Sequence, residues 1–339
     1  MAFVVPAEIG HARYAQALLP ALCSHFERVQ IVACREKLFP SLAEDCWLLF
    51  CAGFGGRSSG IHLSSTEVFK ESARPPRRSR FVSLAEWQRI GMRLRPFLLS
   101  EDALSLYERF LQDPGVSRLG ALASTNIGYV SGANSFFHLR PSDLEKFDIP
   151  RSFTRVTIRK SEQLPHGRVD ERVVQQWIQA DDQVLLMDLK SASELPQSIR
   201  RYLDSDEGHE ARASYKCRSR TPWYAVPDVK TPDAFMSVMA GDRPILVENA
   251  AGCSCTNSIL ALSLKPGTRF SAISSGWNSA LAELGAEIEG HPLGGGMLKL
   301  EPREAAAIPI PGPSVRINPE EESILRAATK QARAWRHYD

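Results

Sequence analysis

Arg35-Glu36-Lys37-Leu38-Phe39-Pro40, followed by Trp47-Leu48-Leu49-Phe50, is the stretch from which the rest of the chain is read. A charged turn carries one large aromatic beside a proline. It then gives way to an apolar run, Cys46 to Ala52, of strand length. An aromatic at the mouth of a sheet can serve as a platform for a planar ligand, or it can simply plug the core beneath the loop. Both readings of Phe39 are open on these residues alone.

Working outward, Ala2-Phe3-Val4-Val5-Pro6 is a short continuous apolar run, the pattern of a strand buried on both faces. From Ala12 to Phe26, Tyr14, Ala15, Leu18, Leu19, Leu22 and Phe26 recur at helical spacing, with Pro20 as a kink or a restart. Val29 to Ala33 and Cys46 to Ala52 read as two further strands. Gly53-Phe54-Gly55-Gly56 follows a strand, but a phosphate cradle needs a helix opening directly behind it. The chain instead continues Arg57-Ser58-Ser59-Gly60 into Ile61-His62-Leu63, which predicts a hairpin. The first ~65 residues therefore look like the tail of an α/β sheet.

The chain has 339 residues, 43% hydrophobic and 24% charged, ordinary for a folded chain long enough for two domains. Its net charge of +2 leaves any basic surface to local clustering. Seven cysteines, several inside apolar runs, with no secretory leader, point to reduced thiols in a cytoplasm. No apolar stretch approaches the ~20 residues of a membrane span. Cys253-Ser254-Cys255 has no second pair at metal spacing.

From Lys70 the composition shifts. Arg74-Pro75-Pro76-Arg77-Arg78-Ser79-Arg80 reads as a basic linker, and Arg89, Arg93 and Arg95 continue the charge, either as a solvated face or as phosphate contacts. Leu98 to Leu111 is a second amphipathic helix, ended by Asp113-Pro114-Gly115. Beyond it the texture is α+β. Tyr129 to Phe137 reads as strand–turn–strand. Arg151 to Lys160 alternates, with an apolar face for the core and a basic face for a polyanion. Tyr215-Lys216-Cys217-Arg218-Ser219-Arg220 is a second basic cluster, just before Thr221-Pro222-Trp223-Tyr224. Ile245 to Glu248 and Ile259 to Leu264 read as strands, Phe270 to Leu284 as a helix. The tail from Pro319 to Tyr338 is a helix with Glu320, Glu321 and Glu322 in its first turn and Lys330, Arg333 and Arg336 near its end, an order that suits the helix dipole.

Four stretches then line up in order: Phe3-Val4-Val5-Pro6; Arg35 to Pro40 with its following strand; Gly128 to Phe137 with Pro222-Trp223-Tyr224; and Gly252 to Ser258 with Gly294 to Pro302. In these the chain resembles the C-terminal part of the gamma-type adenine-specific DNA methyltransferases of restriction–modification systems. Those enzymes move a methyl group from S-adenosylmethionine to the exocyclic amino group of adenine. The resemblance implies the C-terminal part of a Rossmann-like methyltransferase sheet followed by an α+β target-recognition domain. Residues 1–70 are then the end of the catalytic sheet, 71–115 a basic linker with helices, 116–318 the target-recognition domain and 319–339 a C-terminal helix. Ala2 to Pro6 becomes the fifth strand, and the two strands after it an antiparallel hairpin. Phe39 falls on the family's aromatic that packs against the extruded target adenine, which must leave the stack because its amino group is otherwise unreachable.

The resemblance further implies double-stranded DNA as partner. Arg155, Arg159, Lys160, Arg218 and Arg220 are the candidates to position the phosphates. The turns holding Asn134 and Asn257 either reach base edges or cap backbone. Trp223 reads as core. The family's glycine-rich cofactor loop and its Asn-Pro-Pro-aromatic tetrapeptide are not found; Asn318-Pro319-Glu320 is the nearest, without the second proline or the aromatic. S-adenosylmethionine is accordingly expected only with an N-terminal methyltransferase half, upstream of Met1, as partner. The alternatives are a non-catalytic DNA-recognition subunit and a gene remnant.

Overall fold

The computed structural model describes residues 1–339 apart from 43, 70, 71, 73, 191–193, 294 and 339. Gly294, which opens one stretch of the resemblance, lies outside the described residues, as do Lys70 and Glu71 at the expected domain boundary and Asp339 at the end of the tail.

The structure is mixed α/β, with several sheets that are themselves mixed. The first contains β1 (Ala2–Pro6), β2 (Phe26–Cys34), β3 (Cys46–Phe54), β4 (Gly60–Thr66) and β5 (Arg80–Ser83), in the order β1-β3-β2-β4-β5. β3 lies between β1 and β2 and runs antiparallel to both, with Val4 opposite Leu48 and Ile31 opposite Leu49. β4 corrects the expected hairpin. The turn at Gly53 does not fold it back on β3; the chain passes β2 and β4 pairs with it in parallel, Ile31 opposite Leu63. Gly53 makes that turn with φ +68, and a Cβ there would sit 2.6 Å from the Cβ of Glu27, so only glycine fits.

β1 is not buried on both faces as its composition suggests. It is the edge strand, and Phe3 and Val4 are 54% and 52% exposed. Helix α1 (Arg13–His25) runs unbroken through Pro20 and sets Ala15, Leu19 and Cys23 on the sheet. The stretch expected as a free basic linker instead lies along the sheet. Gln30 donates to the carbonyl of Pro76, Ser64 to that of Arg78, and Arg80 enters β5, so residues on either side of position 70 share one sheet. α2 (Leu84–Arg89), capped by Ser83, adds Trp87 to the same apolar cluster. α3 (Glu101–Gln112) begins at its cap Ser100.

In the second half, a five-stranded sheet runs in the order Arg168–Val169, Leu246–Asn249, Ala234–Ser237, Ile259–Leu264, Ala123–Ile127. A four-stranded one runs Ser254–Cys255, Thr154–Ile158, Leu185–Met187, His138–Leu139. The expected strand–turn–strand at Tyr129 to Phe137 is instead a single bridge, Tyr129 to Thr256, and a short helix Asn134–Phe137. Phe136 and Phe137 are buried by that helix rather than by a strand. The helix expected from Phe270 to Leu284 is two, Phe270–Trp277 and Ala280–Glu289, because Ser279 stops one and caps the next. The last helix, Pro319–Ala334, opens with a capping box between Asn318 and Glu321, which gives the lone Asn-Pro a structural role.

This last helix returns the chain to its beginning. Trp335 packs against the first sheet's core, and His337 lies 3.1 Å from Asp45. Arg336, fully buried, forks onto both carboxylate oxygens of the buried Glu287 at 2.8 and 2.7 Å.

Candidate nucleic-acid interface

The residues expected to meet DNA are brought together in the second half, apart from Phe39. The loop after Ala123–Ile127 presses on the turn after Ser254–Cys255 so closely that a Cβ on Gly128 would lie 2.1 Å from the Cys255 carbonyl. The Tyr129 N–H donates to that carbonyl, and the Asn257 N–H to the carbonyl of Tyr129. Beneath, the Tyr129 hydroxyl lies 2.7 Å from Nε2 of His138 and 2.8 Å from the hydroxyl of Thr157. Thr157 is on the face of Thr154–Ile158 expected to be basic, so that face is partly closed. Burial, with Arg159 nearby, pushes His138 down to about 4 and keeps it neutral.

The cations divide into two groups. Arg155 donates from Nε to Asp188 and from Nη1 to Thr231, at 3.2 and 3.1 Å. Arg159 donates to Gln183, and burial lowers its pKa. Arg220 donates to the carbonyls of Ser131 and Val130 at 2.6 and 2.7 Å, tying the second basic cluster to the Gly128 loop. Lys160 and Arg218 are exposed. Asn134 accepts from the hydroxyl of Ser131 at 2.5 Å, as a turn residue does, whereas Asn257 is exposed at its turn. Arg93 and Arg95 are not on a solvated face. Arg93 is buried, 3.0 Å from Glu289, and burial lowers Arg95 to about 10. Arg89 pairs with Glu108.

Between the Gly128 loop and the segment from Lys216 to Pro232 lies a cleft of about 680 Å³. Lys216, Arg220 and Lys230 stand on its walls against one acid, Asp228, and Ser124, Asn126 and Ser263 form part of its floor. Lys216 and Arg220 belong to the second basic cluster legible in the sequence; Ser124, Asn126, Ser263 and Lys230 do not stand out there. Ser124 and Asn126 show only as two polar positions two apart, too short a pattern to weigh before the strand is known.

Phe39 stands apart, in the loop between β2 and β3, 44% exposed. It is therefore not a plug in the core. Cys253 and Cys255 are buried, their thiols pushed up to about 12, and so stay protonated. Among the described residues no group of three or more His, Cys, Asp or Glu is placed to hold a metal ion, and no helix is long and apolar enough to cross a membrane.

Among the solved structures that resemble this chain are two restriction enzymes. The type IIG restriction endonuclease BpuSI aligns at a TM-score of 0.44 and 13% identity, over 96% of this chain and 42% of that one. The type IIL restriction-modification enzyme MmeI, solved in complex with DNA, aligns at a TM-score of 0.48 and 13% identity, over 96% of this chain and 41% of that one. The chain thus spans about two fifths of the length of those enzymes. No curated protein matches it. Residues 93–338, well over half of the chain, match the family of the C-terminal domain of the type II methyltransferase M.Eco57I, and the chain belongs to that family.

Proposed function

We propose that this chain is the C-terminal portion of a site-specific adenine DNA methyltransferase. In this reading β1 to β3 are the far end of a Rossmann-like catalytic sheet, and the second half recognises duplex DNA. The observation that carries the reading is the family match over residues 93–338, joined upstream by β1 and the antiparallel pair β2 and β3. An antiparallel pair following a fifth strand is what the methyltransferase resemblance implies. Phe39, 44% exposed in the loop of that pair, is the aromatic that this reading sets against an extruded adenine. Lys160 and Arg218 would hold phosphates from the recognition half.

S-adenosylmethionine does not fit the residues present. The glycine turn that follows β3 runs into β4 instead of opening a helix, so it lacks the helix N-terminus a cofactor-cradling glycine loop leads into. No methyl-transfer step is therefore assigned to this chain's own side chains. A catalytic half that binds the donor would extend the sheet from β1, whose exposed Phe3 and Val4 and unpaired edge suit a further strand.

The test is calorimetry with S-adenosylmethionine and tritium transfer to DNA, with this chain alone and with an upstream half supplied. Transfer only by the pair is expected. Micromolar donor binding or transfer by this chain alone would overturn the assignment of the catalytic half elsewhere. A pair that binds duplex without transfer would favour a non-catalytic recognition subunit.

A further inference from the structure

A second cleft, of about 650 Å³, opens between the first sheet and the second half of the chain. His11, Ala12 and Arg13, where α1 begins, line it together with Arg93, and His291, Arg303 and Glu304 line it from the second half. It lies at the end of the first sheet that carries Phe39: β1 stops at Pro6 opposite Cys46, the residue on which β3 begins after the Phe39 loop. Two independent features of this cleft suit an anion. The first is the start of α1. Ala12 stands at its N-cap without a side-chain hydrogen bond and its first turn holds no acid, so the positive end of a 13-residue helix is uncapped where it borders the cleft. The second is Arg93, 9% exposed. Its Nε lies 3.0 Å from Glu289 and its Nη2 4.0 Å from Glu304, while its buried Nη1 has no hydrogen-bond partner among the described residues. A buried guanidinium N–H seldom goes unsatisfied, and the cleft that Arg93 lines is where a partner can enter. Nδ1 of His11 is likewise buried and unpartnered among the described residues. Its ring lies 4.6 Å from that of His291 and is kept neutral by burial, so Nδ1 donates in one of its two tautomers. Of the carboxylates lining the cleft, Glu301 is 2.7 Å from Lys299 and Glu304 is 3.1 Å from His291, which sets Glu8 alone against the exposed Arg13 and Arg303.

We infer that this cleft is a phosphate-binding site, in which Arg93, His11 and the N-terminus of α1 hold the oxygens and Arg303 adds charge from the second half. The donors come from a helix end, a guanidinium and an imidazole on separate segments. A tetrahedral group with several oxygens can meet all three, whereas a planar carboxylate offers two. Beside the Phe39 loop, the site fits a phosphodiester of duplex DNA; a free phosphate would use the same donors. The choice of the duplex as source rests on the proposed reading of the chain, and the site itself does not.

The experiment titrates inorganic phosphate calorimetrically into the full chain at low salt and measures duplex binding across a salt series. The wild type should bind phosphate saturably. Arg93→Lys keeps a charge for Glu289 but loses the fork, and should weaken phosphate by about 10- to 150-fold, the range of a hydrogen bond to a charged group. Arg303→Ala, on an exposed side chain, should weaken phosphate and lower the log–log salt slope of duplex binding by about 0.9. Weaker phosphate binding with an unaltered duplex slope keeps the site and overturns the duplex as its source, in favour of a free phosphate-bearing ligand. No saturable phosphate binding by the wild type, together with unaltered slopes in the variants, overturns the site and leaves duplex recognition by the second half standing. A wild-type chain that binds no duplex at any salt concentration overturns duplex recognition itself, and the phosphate titration then decides the site alone.

Discussion

At the scale of single residues, similar side chains in the second half carry different burdens. Arg220 and Arg218 are two positions apart, yet one fastens two carbonyls of the Gly128 loop and the other is exposed. Arg220→Ala should therefore lower stability by about 2–4 kcal/mol, because two carbonyls lose a charged donor. Arg218→Ala should leave the urea midpoint within error and lower the salt slope of duplex binding by about 0.9. A reversed pattern would exchange their roles. Phe39→Ala removes a ring that already faces solvent, so melting should hardly change. In the reconstituted enzyme it should cost about 1–3 kcal/mol of base stacking, read as slower methylation and weaker fluorescence of an adenine analogue at the target. His138 sets a pH response. Its folded pKa of about 4 lies below the unfolded value of about 6.5, so between the two the unfolded chain binds the extra proton. Stability from this group is complete above pH ~6.5 and is lost as pH falls towards 4, by about 3 kcal/mol in all. Urea midpoints across that window should drop in the wild type and drop less in His138→Gln.

At the scale of elements, the exposed strand β1 is a sheet edge with bare hydrogen-bonding groups and two solvent-facing apolar side chains. Such an edge recruits other strands. Val4→Lys, on a side chain already half in water, should suppress self-association of the isolated chain without lowering its melting temperature. It should also weaken assembly with a catalytic half. Light scattering and co-purification report the two effects, and unaltered self-association would remove β1 from both. The glycine turn after β3 shows how little an element's ends say about its partner. Its glycines spell out a turn without a cradle, but whether the next strand folds back or crosses over depends on which edge is vacant. Here β1 occupies the far edge of β3, and β4 pairs with β2.

At the scale of the whole molecule, the two ends of the sequence hold each other. Trp335 packs against the first sheet's core, and Arg336 clamps Glu287 and the carbonyl of Asp242. Breaking one side of a buried ion pair strands the other charge. Arg336→Ala should then cost about 3–5 kcal/mol in urea unfolding, whereas Arg326→Ala, in an exposed pair with Glu322, should cost under about 1 kcal/mol. Similar values for both would show that the buried pair is not what closes the molecule.

The sequence by itself determined the apolar runs, the capped helices, the stop at Asp113-Pro114-Gly115 and the membership carried by four ordered stretches, because these depend on local pattern and spacing. It also brought Asn134, Asn257, Arg220 and the Gly128 loop onto the page as candidates. It did not determine which arginines are free, since a guanidinium's partners come from segments far apart in the chain: Asp188 for Arg155, Val130 and Ser131 for Arg220, Glu289 for Arg93. It did not show that Tyr129 to Phe137 would pair at only one bridge, because helix Asn134–Phe137 buries the two phenylalanines that alternation had assigned to a strand. Nor did it show the cleft beside Gly128, which arises only when Ile259–Leu264 pairs beside Ala123–Ile127 and Lys216 and Lys230 stand across from them. Local propensity is written along the chain; which polar groups remain unpaired is decided by burial and by long-range pairing, and that only the tertiary structure supplies.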